Sequence, residues 1–125
     1  MNSLLLVMAG GAIGAGARHL TGRALTVALG TDWPWGTTAV NLVGGLAMGV
    51  LAGTLARAGQ GGEAWRLLLG VGVLGGFTTF SAFALDTALM IERGALATAL
   101  AYVLVSVVGS IAALFAGLAL ARVAA

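Results

Sequence analysis

A lone asparagine, Asn41, stands in the apolar run Ala39-Val40-Asn41-Leu42-Val43. Its amide offers two N–H donors and one acceptor oxygen. Tyr102, Ser106 and Ser110 recur at i, i+4 and i+8, which places three hydroxyls on one helix face. Between them in sequence lies Gly75-Gly76-Phe77-Thr78-Thr79-Phe80-Ser81-Ala82-Phe83, where phenylalanine returns every third residue. An aromatic ring has a negative face and a positive edge. Two rings set edge-on to a narrow passage give an anion an electropositive rim without a full charge. A full charge would hold the anion too tightly, whereas conduction needs weak, repeated sites. N–H and O–H donors together with ring edges favour a small, strongly hydrated anion. Each feature also has a plainer reading. Asn41 can be interhelical glue, worth roughly 0.6 kcal/mol on average. The serines can promote tight packing, and Phe77 reads best as core.

Other chemistries find no support. The 125 residues contain no cysteine, so thiol chemistry, disulfides and cysteine-held zinc are excluded. No nucleophile–base pair, metal-ligand cluster or phosphate loop is visible, so an enzyme is not expected. The glycine patterns lie in apolar spans and lack the strand that a dinucleotide fingerprint requires. A net charge of +2, scattered along the chain, does not argue for nucleic acid.

The elements that must carry these residues are membrane helices. The chain is 60% hydrophobic and 8% charged, with a mean hydropathy of +1.07, against roughly 25% charged in a soluble domain. Residues 1–17, 33–56, 67–85 and 94–121 carry no charge. A helix needs about 20 apolar residues to cross a bilayer. Four spans follow, near 3–28, 36–57, 65–92 and 95–121, in a single four-helix transmembrane domain covering 1–125. The first is expected to be a span and not a removed leader, because no basic residue precedes it. A flexible polar loop is expected over 57–63. Gly10 and Gly14, and Gly45, Gly49 and Gly53, repeat at four-residue spacing, so each series bares one strip of backbone for close helix packing. The tryptophans of the Trp33-Pro34-Trp35 link fit the interfacial belt.

The third span carries a conflict. Gly75 and Gly76 each cost a helix roughly 1 kcal/mol against alanine. Thr78 and Thr79 add hydroxyls that compete for backbone partners. The pattern predicts a helix broken near mid-membrane, with free carbonyls. In lipid such groups survive only beside protein, an ion or a water-filled cavity.

Charge bookkeeping predicts an assembly. Arg57, Arg66 and Arg122 fall on one side of the membrane, and Arg18, Arg23 and Arg93 on the other. Three against three leaves no orienting bias. A small chain that inserts both ways predicts an antiparallel, dual-topology homodimer; a weakly biased protein with one topology is the alternative. Asp86 falls on the Arg93 side and is expected to make an ion pair or polar contact near the interface. His19, beside Arg18, reads as an interfacial residue.

Four segments together resemble one family: Gly10-Gly11 with Gly14-Ala15 and Arg18; Gly36-Thr37 with Val40-Asn41 and Gly44; Gly75 to Phe83; and Tyr102 with Ser106 and Ser110. Over nearly the whole chain they resemble the Fluc/CrcB family of fluoride channels. The resemblance implies a dual-topology dimer in the inner (plasma) membrane, with two antiparallel pores lined by both subunits. It implies passive export of cytoplasmic fluoride. By position, Asn41, Phe80, Phe83, Thr37, Tyr102, Ser106 and Ser110 match the family's fluoride pathway, and Arg18 its vestibule. Backbone carbonyls of Gly75 and Thr78 match a central sodium site on the dimer axis. Two positions depart: His19 stands where the family more often has tyrosine, and Gly45 where a serine is common. Both bear on local packing. A small multidrug transporter also has four short spans and dual topology, but proton-coupled export needs an embedded carboxylate, and the first span has none.

Overall fold

The computed structural model describes residues 2–57 and 62–124; residues 58–61 of the expected polar loop lie outside them. All regular structure among the described residues is helical. Helix α1 spans Ser3–Leu29 and α2 spans Trp35–Leu55. Helix α3 (63–77) is composite: one α-turn at Glu63–Trp65, a π-helical stretch at Arg66–Leu74, and a last α-turn at Gly75–Phe77. Helix α4 spans Phe80–Glu92 and α5 spans Leu96–Val123. With Glu63–Glu92 counted as one stretch, four helical segments are long and apolar enough to cross a membrane. The chain is a multi-pass membrane protein.

Local chemistry sets the ends. The Asn2 side chain accepts from the Leu4 amide at 2.7 Å and caps α1. Gly30 closes it at φ 84°, a left-handed backbone that glycine adopts without a Cβ penalty. The π-helical stretch was not legible from composition. There the amide of Gly75 reaches back five residues to the carbonyl of Gly70. Gly70 and Gly72 are buried within it; the bare Gly72 lets Gly10 of α1 lie directly on the widened backbone, while Gly70 meets Leu51 and Met48 of α2.

Between α3 and α4 the helical pattern stops. Thr78 (φ −86°, ψ 160°) and Thr79 (φ −151°, ψ 122°) are both extended. Thr79 then caps α4, its Oγ1 accepting from the Ala82 amide at 3.1 Å.

The two glycine strips form two seams. On α1, Gly10 faces the backbone of Leu68 and Gly72, and Gly14 faces that of Val73 and Phe77. On α2, Gly45 faces the Ser110 carbonyl, Gly49 the Leu114 carbonyl and Gly117, and Gly53 the Ala121 side chain. Helices in lipid gain little from hydrophobicity, so backbone-to-backbone van der Waals contact holds them. Most large apolar side chains point outward, as Val27, Leu20 and Leu100 do. The buried cluster is small: Phe83, Met90, Ala99 and Tyr102, with Trp33, Ala95 and Val103 packed against it.

A Cβ on Gly49 would overlap the Leu114 carbonyl. Gly49→Leu is therefore expected to cost at least about 1–3 kcal/mol by overpacking, read as a lower unfolding midpoint in detergent. Gly11, with open space beside it, should tolerate alanine.

Candidate functional site

The site is built where α2 meets the extended pair. Asn41 Oδ1 accepts from the Thr79 amide at 2.8 Å, and Asn41 Nδ2 donates to the Thr79 carbonyl at 3.0 Å. One side-chain amide thus replaces both hydrogen bonds that a helix would have given Thr79. Each buried backbone group left unpaired would cost several kcal/mol in a low-dielectric setting. The Asn41 amide keeps one further N–H.

Neighbouring carbonyls divide into two sets. Arg18 Nε donates to the Gly76 carbonyl at 3.1 Å, and Asn41 serves that of Thr79. Among the described residues no hydrogen bond reaches the carbonyls of Gly75, Phe77 or Thr78. Two of these, Gly75 and Thr78, are the pair expected to hold a cation. Uncommitted neutral oxygens suit a hard cation such as sodium, so the backbone here fits that role.

A cavity of about 390 Å³ opens beside the clamp, and Asn41, Phe80, Phe83, Ser106 and Ser110 all line it, together with Thr78 and Thr79. Its described lining carries no ionisable side chain. Ser106 Oγ is buried and makes no hydrogen bond among the described residues, so its hydroxyl is available to a guest. Phe83 is 8% exposed and Phe80 78%. Their ring centroids lie 5.6 Å apart at an interplanar angle of 56°. Helix α4 begins at this cavity. The first amides of a helix have no intrahelical partner and carry partial positive charge.

Tyr102 stands apart from the two serines. It is fully buried in the aromatic cluster, it does not line the cavity, and its hydroxyl donates to Asp86 Oδ2 at 3.0 Å. Asp86 thereby makes a polar contact. Thr37 lines a second cavity of about 580 Å³, with Arg18, His19 and Arg23. That lining holds basic side chains and no acidic one. It also touches Thr79, the residue common to both cavities. A third hollow of about 330 Å³ joins Thr37 to Asp32, Asp86 and Arg93.

Sequence reasoning gave Thr79 no site role. Its signal was present in the β-branched pair and in a threonine three residues before Ala82, which is N-cap spacing. The partnership with Asn41, 38 residues away, has no local signature.

A family profile described as "CrcB-like protein, Camphor Resistance (CrcB)" matches residues 5–118. The chain belongs to the CrcB family. It is 63% identical over 123 residues to a protein of Phenylobacterium zucineum, covering 98% of this chain and 97% of the relative. A relative from Chelativorans sp. is 62% identical over 122 residues, covering 98% of each. One from Sphingopyxis alaskensis is 57% identical over 122 residues, covering 98% of this chain and 97% of the relative. All three bear the name fluoride-specific ion channel FluC. CrcB-family proteins are thus channels and not enzymes.

In this CrcB chain, Asn41→Ala strands the amide and the carbonyl of Thr79. The expected loss is about 1–3 kcal/mol for each unpaired group, with faster hydrogen exchange at the Thr79 amide. Asn41→Asp keeps the acceptor for that amide and loses the donor, so its exchange should fall between wild type and alanine.

Proposed function

We propose that this protein is a fluoride channel, which lets fluoride leave the cytoplasm across the inner (plasma) membrane by passive electrodiffusion. The observation that carries the reading is the single uncharged cavity shared by Asn41, Phe80, Phe83, Ser106 and Ser110, in a chain whose close relatives are named for fluoride. Fluoride is small and holds its water tightly. Its dehydration has to be offset by donors that do not trap it. The spare N–H of Asn41, the unpartnered hydroxyl of Ser106, that of Ser110 and the ring edges of Phe80 and Phe83 are all neutral. The basic cavity at Arg18, His19 and Arg23 serves as a vestibule that concentrates anions. Thr37 and Tyr102 complete the polar track: Thr37 at the vestibule, Tyr102 by fixing the core behind Phe83. Acid outside drives fluoride in as neutral HF, which dissociates in the cytoplasm, and the membrane potential drives the anion out.

The working unit in this reading is an antiparallel dual-topology homodimer with two pores. A mostly exposed phenylalanine beside a one-sided cavity leaves the pathway without its second wall, and an inverted copy supplies one. Balanced arginines support insertion both ways. Residues 63–92 then form one membrane helix broken at Thr78 and Thr79, within a single four-helix domain. Carbonyls of Gly75 and Thr78 from both copies would hold a structural sodium ion, whose charge offsets converging carbonyl dipoles.

Purified protein in liposomes is expected to release fluoride faster than empty vesicles and to leave chloride behind. Equal fluoride release from both would reject the channel. Phe80→Ile and Phe83→Ile are each expected to cut flux at least tenfold, a barrier of about 1.4 kcal/mol, with the dimer intact by size-exclusion chromatography. Replacing sodium with a larger cation should weaken assembly or flux; an ion held too tightly to exchange would appear instead in elemental analysis.

A further inference from the structure

Trp33 lies in the link before α2 and touches neither the Asn41 cavity nor the basic one. Its ring meets Tyr102 edge to face, with centroids 5.4 Å apart at 88°. Tyr102 lies 5.1 Å from Phe83, and Phe83 5.6 Å from Phe80. The indole is latched in place. Its Nε1–H donates to Thr38 Oγ1 at 2.9 Å, and that hydroxyl donates onward to the Pro34 carbonyl at 2.9 Å. Thr38 is itself buried. The Tyr102 hydroxyl donates to Asp86. A ladder of rings therefore runs from a hydrogen-bonded anchor in the link to the wall of the cavity.

We propose that Trp33 is a positioning residue for anion selectivity: through Tyr102 it fixes the ring plane of Phe83. This rests on the fluoride-channel reading. A ring attracts an anion with its edge and repels it with its face, so the rim works only while the plane is held. Close packing transmits that constraint. Without the indole, Tyr102 loses the neighbour on one side. Phe83 then turns more freely, and the anion meets edge and face in alternation. Every donor and every charge on the pathway stays in place, so discrimination is lost before assembly is.

The test compares wild type, Trp33→Leu, Trp33→Phe and Thr38→Val, with Trp65→Leu as a remote exposed control. Fluoride and chloride release are measured from liposomes. Ring motion at position 83 is read by 19F NMR of 3-fluorophenylalanine placed there, because a flip exchanges the two meta environments. Trp33→Leu is expected to lower the fluoride-to-chloride ratio roughly tenfold, the size that one lost aromatic contact can cause, and to merge the two ring signals. Trp33→Phe should restore most of the ratio. Thr38→Val, which removes only the latch, should lower it roughly threefold and carries the test if Trp33→Leu does not assemble. Unchanged ratio and unchanged ring signals in Trp33→Leu and Thr38→Val would overturn the proposal. So would equal losses of both ion fluxes with the ring still held, which is the mark of a general structural role. No fluoride flux from wild type rejects the channel reading and the selectivity role with it, while the ring signals still report whether Trp33 holds Phe83.

Discussion

A backbone that leaves its helix inside a membrane must find partners for the amides and carbonyls it releases. Between α3 and α4, two side chains meet part of that requirement. Asn41 takes both the amide and the carbonyl of Thr79, and Arg18 takes the carbonyl of Gly76. Without these bonds the extended conformation of Thr78 and Thr79 would be far costlier than two more helical residues. With them, the chain turns α4 so that its first turn opens at the cavity. The same asparagine secures the fold and, in the proposed channel, offers its spare N–H to the anion, so two roles would share one position.

The glycine seams serve that clamp. Asn41 can reach Thr79 only because α2 and the end of α3 approach closely, and Gly44 faces the Thr78 side chain at that crossing. On its other flank α2 is pressed against α5 through Gly45 and Gly49, which brings Ser106 and Ser110 to the same hollow. Small residues thus act at a distance from the chemistry, by setting how near the polar groups stand.

Charge is kept out of the hollow and gathered beside it. Arg18, His19 and Arg23 line the basic cavity, while the Asn41 cavity has a neutral lining. In the proposed channel, attraction and passage are separate tasks with opposing demands. A fixed charge raises the local concentration of an anion, but at a narrow point it would hold the anion there. Thr79 borders both cavities and would mark the boundary between the two in that reading.

Four apolar helices, the absence of enzyme chemistry and the family itself were legible in the sequence. Composition and uncharged run length dictate membrane helices directly, and four motifs in fixed order carry the resemblance. Glycine spacing showed that bare backbone strips existed, because i, i+4 periodicity is a local property of a helix. What lay against each strip was not legible, since partner choice depends on all the helices at once. The π-helical stretch at Arg66–Leu74 is of the same kind: glycines permit it, and its packing against α1 and α2 has no local signature. The hydroxyl line of Tyr102, Ser106 and Ser110 follows from spacing, yet only the tertiary structure turns Tyr102 into the aromatic core and leaves the serines on the cavity. The bond between Asn41 and Thr79 joins residues 38 apart, and no local rule encodes it. The sequence determined which groups were available, and three-dimensional packing decided which of them meet, because a hydrogen bond needs contact that periodicity alone does not specify.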